Sequence, residues 1–196
     1  MQALNKLRTF IDQYASSSLT DDEFALIAHA FTYKKLRRRQ FLLQAGEIGK
    51  YYAFVAKGAL RQYCIDERGT ERVSQFALEN WWTGDRESFT QLIPSPFNID
   101  ALEECELLLI TNAQLQELMH AVPAITQMLL ELDQRHFIAA QKRLHASIRL
   151  SAEERYVEFV NQHPDFIHRF PLHMIASYLG ISTETLSRVR YKLLRQ

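Results

Sequence analysis

The sequence contains few of the residues that build disulfide-bonded or metal-held frameworks. Its 196 residues include two cysteines, Cys64 and Cys105, which lie far apart and form no ligand-spaced pair. Structural zinc sites need closely spaced cysteines, and an iron–sulfur centre needs a cysteine cluster, which the N-terminal region lacks. We therefore expect two buried thiols of the kind found in a reducing cytoplasm.

Histidine is missing from the middle of the chain. No histidine occurs between His29 and His120, and the seven histidines form no pair at ligand spacing within a predicted element. This excludes a haem-ligating β region and makes an enzyme with a cupin-type metal site close to excluded. We therefore expect no metal and no cofactor, and we do not expect an enzyme.

Long apolar runs are also missing. No run reaches the ~18 to 20 residues that a membrane span requires, and the N-terminal MQALNKLRTFIDQYASS has no continuous apolar core of the kind that secretory signals carry. Apolar residues nevertheless make up 47% of the chain, which predicts a folded protein. We expect a cytoplasmic protein without a membrane partner.

Charge is distributed unevenly along a chain whose net charge is zero. Residues 1–141 carry 14 Lys and Arg against 18 Asp and Glu, whereas residues 142–196 carry 9 against 5. A basic C-terminal third is typical of a chain whose tail contacts a polyanion. The run KKLRRR at 34–39 is a second basic cluster, which is either a solvated approach to a strand or a secondary nucleic-acid contact.

The N-terminal part of the chain predicts two helices followed by a β region. Helices are expected at 3–15 and 20–31, the second opened by a capping box from Thr20 to Glu23. From about 36 to 110 the chain has short β-rich runs, holds five of the six glycines and includes a hairpin turn, DERG. Short strands at close spacing predict a sandwich or barrel.

A long helix is predicted to begin at Pro123, after a short helix capped by Asn112. In this long helix the apolar residues are spaced nearly as in a coiled coil, and this spacing favours a dimer interface over packing within one chain. The residues of this predicted dimer interface are Ile125, Leu129, Leu132, His136 and Ala139. His136 and Arg143 interrupt the seam, so packing of the helix on the chain's own β region remains the alternative.

The C-terminal segment has the requirements of a helix-turn-helix. A capping box at Ser151 starts a compact unit, and LHMIASYLGISTETLSRVR supplies Ala176 where two helices cross and Gly180 where the turn needs positive φ. The second helix then presents polar groups that match base edges and phosphates. The predicted DNA-binding residues are Ser182, Thr183, Glu184, Thr185, Ser187, Arg188, Arg190 and Lys192, with Arg195 adding charge. The alternative is an ordinary helical hairpin in which Glu184 and Arg188 only pair with each other.

The segment GISTETLSRVRYKL resembles the recognition segment of the catabolite-activator/FNR family of bacterial transcription regulators. The family pattern Ser-x-Glu-Thr-apolar-small-Arg is present from Ser182 to Arg188, and Thr183 stands where the family frequently has arginine. The resemblance implies an α+β fold with three parts: a cyclic-nucleotide-binding-like β roll with flanking helices over 1–122, a dimerisation helix over 123–149 and a helix-turn-helix domain over 150–196.

The resemblance also implies a place for an effector. Nucleotide-responsive members carry a Gly-Glu pair and, about ten residues later, an Arg-Ser pair whose arginine neutralises the cyclic phosphate. Here Gly84 and Asp85 can stand for the first pair, Ser95 falls where the arginine should be, and Arg86 comes too early to replace it. The pocket is therefore expected not to suit cAMP.

Together these patterns predict a homodimeric, sequence-specific DNA-binding transcription regulator. The expected partners are a pseudo-palindromic operator in double-stranded DNA, a second copy of the chain and RNA polymerase, and an unidentified small-molecule effector stays open. The alternative is an effector-binding or scaffold module whose helical C-terminal domain binds protein rather than DNA.

Overall fold

The computed structural model describes residues 1–15 and 18–193. The chain divides into two compact units. The first contains Met1–Cys64 and Phe76–Gln134, and the second contains Ile65–Gln75 and the chain from Arg135 onward. The division falls inside the long helix, which contributes to both units, whereas the sequence predicted boundaries at its two ends.

Helices occupy both ends of the chain and the β region lies between them. The helices are α1 (Gln2–Asp12), α2 (Asp21–Ala30), α3 (Arg86–Gln91), α4 (Asn112–Ala121), α5 (Pro123–Arg149), α6 (Ala152–Gln162), α7 (Phe166–Arg169), α8 (Leu172–Leu179) and α9 (Thr183–Leu193). The strands are β1 (Thr32–Leu36), β2 (Phe41–Leu43), β3 (Tyr51–Lys57), β4 (Leu60–Ile65), β5 (Glu71–Ala77), β6 (Trp82–Thr83), β7 (Asn98–Ala101) and β8 (Cys105–Thr111).

The strands form two four-stranded antiparallel sheets with the orders β1-β8-β3-β6 and β2-β7-β4-β5. Their facing sides meet in one apolar layer, to which β3 contributes Val55, β8 contributes Leu107 and β7 contributes Ile99, all fully buried. The predicted α+β fold with a β roll is therefore confirmed.

Several helix starts follow directly from local sequence. Thr20 and Ser151 both accept a hydrogen bond from the N–H three residues later, and the glutamates at those positions return the bond, as the capping boxes predict. The start of α4 differs by one residue from the prediction. Thr111, rather than Asn112, is the cap, because its hydroxyl accepts from the N–H of Gln114.

The first half of α5 closes the core of the first unit. Ile125, Met128, Leu129 and Leu132 are buried there, in the same cluster as Phe54 and other side chains on the outer face of β3 and β8. The helix therefore buries apolar residues within its own chain before its remaining turns enter the second unit.

The tip of the β4–β5 hairpin belongs to the second unit and contacts α8. The hydroxyl of Ser177 accepts from the N–H of Val73 at 3.0 Å and donates to the carbonyl of Glu71 at 3.1 Å. These two bonds connect α8 to the backbone of β5. Within the described part of the chain, no helix combines the length and apolar character that crossing a bilayer demands.

Two neighbouring leucines on α5 allow the burial to be tested. Leu129 is 6% exposed and Leu130 is 67% exposed. Leu129→Ala should lower the free energy of unfolding by about 2–5 kcal/mol, because it leaves a cavity in the core. Leu130→Ala should change it by less than about 0.5 kcal/mol at protein concentrations low enough for the chain to be monomeric. Urea denaturation of both variants measures the difference, and equal losses would contradict this packing of α5.

Candidate nucleic-acid interface

Helix α8 ends in the turn that the sequence predicted. Gly180 follows the helix with φ 66° and ψ 34°, in the left-handed region that favours glycine. The N–H of Ile181 then donates to the carbonyl of Ala176 at 3.0 Å, which closes the helix end. This backbone conformation redirects the chain into α9.

Helix α9 begins with a side-chain cap. The hydroxyl of Ser182 accepts from the N–H of Thr185 at 3.1 Å and also lies 3.1 Å from the Thr185 hydroxyl. Such a cap satisfies one of the free N–H groups in the first turn of a helix. The predicted helix start at Ser182 therefore has a local cause.

The two helices share one buried apolar face. Ile175, Ala176, Leu186 and Val189 are buried, whereas Leu179 and Ile181 are only half-buried. Four further aromatic side chains are buried in the second unit, which also contains α8 and α9. They are Tyr156, Phe159, Phe166 and Phe170.

The opposite face of α9 is open. The predicted DNA-binding residues divide into an exposed group and a half-buried pair, Thr185 and Arg190. The exposed group is Ser182, Thr183, Glu184, Ser187, Arg188 and Lys192. The structure thus places Glu184 and Arg188 on one accessible face, one helical turn apart.

The charges on this face do not neutralise each other by direct contact. Among the described residues, no ion pair joins Glu184 to Arg188, and the guanidinium lies 3.4 Å from the Thr185 hydroxyl instead. The pKa of Glu184 is lowered, first by a backbone hydrogen bond, then by the Ser182 hydroxyl and by the charge of Arg188. Near neutral pH the face presents a carboxylate and a separate guanidinium.

Lys192, near the end of α9, has a carboxylate partner in the described chain. The ammonium of Lys192 lies 2.6 Å from Oε2 of Glu153, at the start of α6. A phosphate would therefore compete with that carboxylate for Lys192. Arg195 lies outside the described residues.

Tyr191 is a candidate contact that the sequence reasoning missed. It is 56% exposed and lies three residues after Arg188, so it is on the same side of α9 as Glu184 and Arg188. The spacing 184, 188 and 191 was visible in the sequence. A tyrosine near the end of a helix is, however, equally typical of a core position, so the spacing alone does not identify a contact.

A second candidate site lies in the first unit, at the start of α3. At Gly84, where φ is 153°, a Cβ atom would lie 2.7 Å from Cδ2 of Tyr52, so only glycine fits. Asp85 is buried, and its carboxylate accepts from the N–H groups of Glu87 and Ser88. The aspartate that could have bound a ribose hydroxyl therefore caps α3.

The other two predicted pocket residues are also engaged by the chain itself. Ser95 is 2% exposed and its hydroxyl accepts from the N–H of Phe97 at 3.0 Å. Arg86 forms an ion pair with Asp133 of α5 at 2.7 Å and lies over the ring of Tyr52. Burial raises the pKa of the Tyr52 hydroxyl.

A buried ion pair in the first unit was not predicted. Arg61 on β4 and Asp100 on β7 are register partners, and Nε and Oδ1 are 2.8 Å apart. Their side chains are 8% and 9% exposed. In the sequence, Asp100 is only a negative charge a few residues after Ser95. Its pairing with Arg61 could not be predicted, because that pairing depends on strand register.

Comparisons with known proteins give the relatives of this chain. A model of the cyclic nucleotide-binding domain matches residues 33–121. The chain is 30% identical to the transcriptional activator protein Anr of Pseudomonas aeruginosa, over 80% of this chain and 68% of that protein. It is 29% identical to the anaerobic regulatory protein of Haemophilus influenzae, over 80% of this chain and 64% of that protein.

This chain belongs to the catabolite-activator/FNR family of bacterial transcription regulators. The family predicted from the recognition segment is confirmed. The structure of FixK2 from Bradyrhizobium japonicum has the same fold, with a TM-score of 0.72, 18% identity and 85% coverage of each chain. The chain spans about two thirds of the length of the curated relatives named above, 68% and 64%.

The long helix α5 buries the first three residues of the predicted dimer interface within its own chain. Ile125, Leu129 and Leu132 were expected to be hard to bury within one chain, and that premise was wrong, because the chain's own core buries them. His136 and Ala139 are exposed, and their predicted place in a dimer competes with a different exposed row on the same helix.

The structure reveals a different exposed row on α5 with coiled-coil spacing. We call it the exposed heptad row; it consists of Gln127, Leu130, Gln134, Phe137, Gln141, Leu144 and Ile148. Its apolar members are between 59% and 73% exposed. The apolar row available to a second chain therefore lies on another face of the helix than the sequence suggested.

Proposed function

We propose that this chain is a sequence-specific DNA-binding transcription regulator that acts as a homodimer and has an effector pocket not suited to cAMP. The observation that carries the proposal is the open face of α9. Glu184 and Arg188 are exposed there, behind a capped turn, and are not paired with each other in the described chain.

The side chains of this face suit recognition in the major groove. A guanidinium pairs with O6 and N7 of guanine, and a carboxylate accepts from the amino group of cytosine. The hydroxyls of Ser182 and Thr185, at the positive end of the helix dipole, suit phosphate. Arg188 and Glu184 are thus assigned to base choice, and the other residues position the helix.

The exposed heptad row supports the proposed homodimer. Leu130, Phe137 and Leu144 recur every seven residues and are exposed in one chain, so a second copy would bury them. Two recognition helices would then read half-sites about 34–36 Å apart on a pseudo-palindromic operator.

The charge balance of the first unit argues against a cyclic nucleotide. A buried phosphate needs a cation. Arg61 is already paired with Asp100, Arg86 with Asp133, and Ser95 has no charge to offer. We therefore propose no cofactor and leave open a small-molecule effector of other chemistry.

The cellular context is part of the same proposal. One relative is named a transcriptional activator, and we extend to this chain a cytoplasmic location and contact with RNA polymerase. The proposal assigns no enzymatic role.

Arg188→Ala should weaken binding to the preferred operator by about 1–3 kcal/mol and relax the choice at one base pair of each half-site. Glu184→Ala should reduce discrimination more than affinity, since a carboxylate near phosphates is repulsive. Fluorescence anisotropy with the operator selected from random DNA, and with its scrambled sequence, measures both effects.

Lys192→Ala is the matched control for a contact without base choice. It should weaken binding to both DNAs about equally and reduce the salt dependence, and its pairing with Glu153 should make the effect small. If Arg188→Ala lost equal affinity for the operator and for the scrambled DNA, a role of Arg188 in base recognition would be contradicted. No salt-dependent DNA binding by the wild type would favour the protein-binding alternative.

Phe137→Glu should convert the dimer to a monomer, because it places charge in the exposed heptad row. Ala139→Glu should not, because Ala139 lies on the other side of α5 from that row. Leu132→Glu should unfold the first unit, since Leu132 is 9% exposed. Sedimentation with circular dichroism distinguishes these outcomes. Dissociation by Ala139→Glu alone, or a monomeric wild type at tens of micromolar, would contradict the interface.

Calorimetry with cAMP and cGMP should give dissociation constants weaker than about 1 mM. The reason is that the described pocket residues provide no unpaired cation for the phosphate. A low micromolar constant would overturn the prediction. In that case Asp133→Asn tests whether Arg86 is the cation that holds the phosphate. The variant removes the carboxylate paired with Arg86, so nucleotide binding should become tighter if Arg86 contacts the phosphate.

A further inference from the structure

A cavity in the second unit lies between three helices. One side is the second half of α5, and the other sides are α6 and the end of α8. Its volume is about 610 Å³, within the range of roughly 300–1,000 Å³ that is typical of small-molecule sites. We call it the helix cleft; its lining includes Lys142 and Arg143 of α5, Arg155 and Phe159 of α6, and Tyr178 and Leu179 of α8.

Aromatic rings form part of the wall of the helix cleft. Phe159 is buried, Tyr178 is half-buried, and their ring centroids are 5.6 Å apart. Ile138 and Leu179 add aliphatic surface to the lining. Such a wall suits the flat, apolar body of a ligand, because the body leaves water when it packs on the rings.

The charged groups of the helix cleft are mainly cations. Its basic side chains are Arg135, Lys142, Arg143 and Arg155. The acidic group is Glu158, which accepts a hydrogen bond from the side-chain amide of Gln162 at 3.1 Å. Burial lowers the pKa of His163, so its ring adds little charge at neutral pH. The lining therefore carries an excess of positive charge, which attracts anions.

Two of these cations come from consecutive positions of α5 and have no carboxylate partner in the described chain. Lys142 makes neither an ion pair nor a hydrogen bond there. Arg143 donates to the backbone carbonyl of Ser74, and its Cζ atom lies 5.1 Å from the ring centroid of Tyr178. These contacts orient the guanidinium and leave its charge uncompensated.

Arg155 connects the helix cleft to the turn between α8 and α9. Its Nη1 donates to the carbonyl of Leu179 at 2.9 Å, at the end of α8 where a cation is favoured. Its Nε is buried and has no hydrogen-bond partner in the described chain. Because an unsatisfied buried donor is costly, a small rotation that brings this group to an anion in the cleft would be stabilising.

The proposed dimer would leave most of the helix cleft open. Ala139, Arg143 and Ala146 line the cleft and are spaced four and three residues apart, so they lie on one face of α5. At about 100° per residue, this face is opposite the exposed heptad row. Leu144 belongs to both surfaces. A second copy that covers the row would therefore not fill the cleft.

We propose that the helix cleft binds a small organic anion with a flat, aromatic body. The body packs against Phe159 and Tyr178, and the anionic group lies among Lys142, Arg143 and Arg155. The ligand also contacts the turn that leads into α9, since Gly180 lines the cleft. The inference rests on the proposed function only in treating this ligand as an effector, and the binding itself does not depend on DNA recognition.

The test uses two fluorescent probes that have the same aromatic body. Anilinonaphthalene sulfonate is an anion, and phenylnaphthylamine is its neutral counterpart without the sulfonate. The full chain is titrated as wild type, Lys142→Gln, Ala139→Trp and Arg149→Gln, and circular dichroism checks that each variant is folded. Arg149 is the matched control, because it is an exposed cation seven residues after Lys142 on the same face of α5 and does not line the cleft.

The wild type and Arg149→Gln should bind a single sulfonate probe per chain, with a dissociation constant below about 100 μM. Lys142→Gln should weaken binding of the sulfonate about two- to fivefold, as expected for the loss of one exposed charge pair, and should not change binding of the neutral probe. Ala139→Trp should weaken binding of both probes at least about tenfold, because the indole ring occupies the cleft.

Other outcomes would contradict the inference. If Lys142→Gln weakened both probes equally, or bound the sulfonate as tightly as Arg149→Gln does, the cleft would not be an anion site. If sulfonate binding survived Ala139→Trp, the probe would bind elsewhere, for example on the exposed heptad row. The titrations contain no DNA, so a failure of the chain to bind an operator would overturn the proposed function and leave this result unchanged.

Discussion

The packing of the first half of α5 against the outer face of β3 and β8 is the contact on which most of the structure depends. Ile125, Met128, Leu129 and Leu132 fill one side of the cluster that also contains Phe54. Four large apolar side chains removed from water contribute roughly 1.5–3 kcal/mol each before entropy is counted. Because α5 is continuous to Arg149, the same helix that completes this core also provides the exposed heptad row and leads into the second unit.

The distribution of paired and unpaired charge separates structural cations from those available to a partner. In the first unit, Arg61 and Arg86 each have a carboxylate partner. The Arg61–Asp100 pair is buried, so removing one of its partners would leave a costly isolated charge, whereas the Arg86–Asp133 pair is about half exposed. Arg188 has no such carboxylate contact in the described chain. A cation that is exposed and unmatched keeps its field for a ligand, whereas a matched buried cation mainly determines how strands and helices fit together.

Local signals made much of the fold and part of the candidate site predictable. The capping boxes at Thr20 and Ser151, the hairpin at Asp66 and the turn at Gly180 depend on a few neighbouring backbone groups, so short segments are sufficient to specify them. The first two turns of α9 were predictable for the same reason. The cap at Thr111 was missed by one residue because a threonine and an asparagine both suit that position.

The sequence by itself determined where the longer helices, the β region and the turns at Asp66 and Gly180 lie, and which polar side chains the recognition helix carries, because those features depend on residues a few positions apart. Only the tertiary structure decided which face of α5 is buried, because the helix has apolar residues on more than one face and periodicity alone cannot choose between them. The same holds for Lys192 and Glu153, for Arg61 and Asp100, and for the burial of Ser95. Those outcomes depend on strand register and helix packing between segments 39 or more residues apart, which no local pattern encodes.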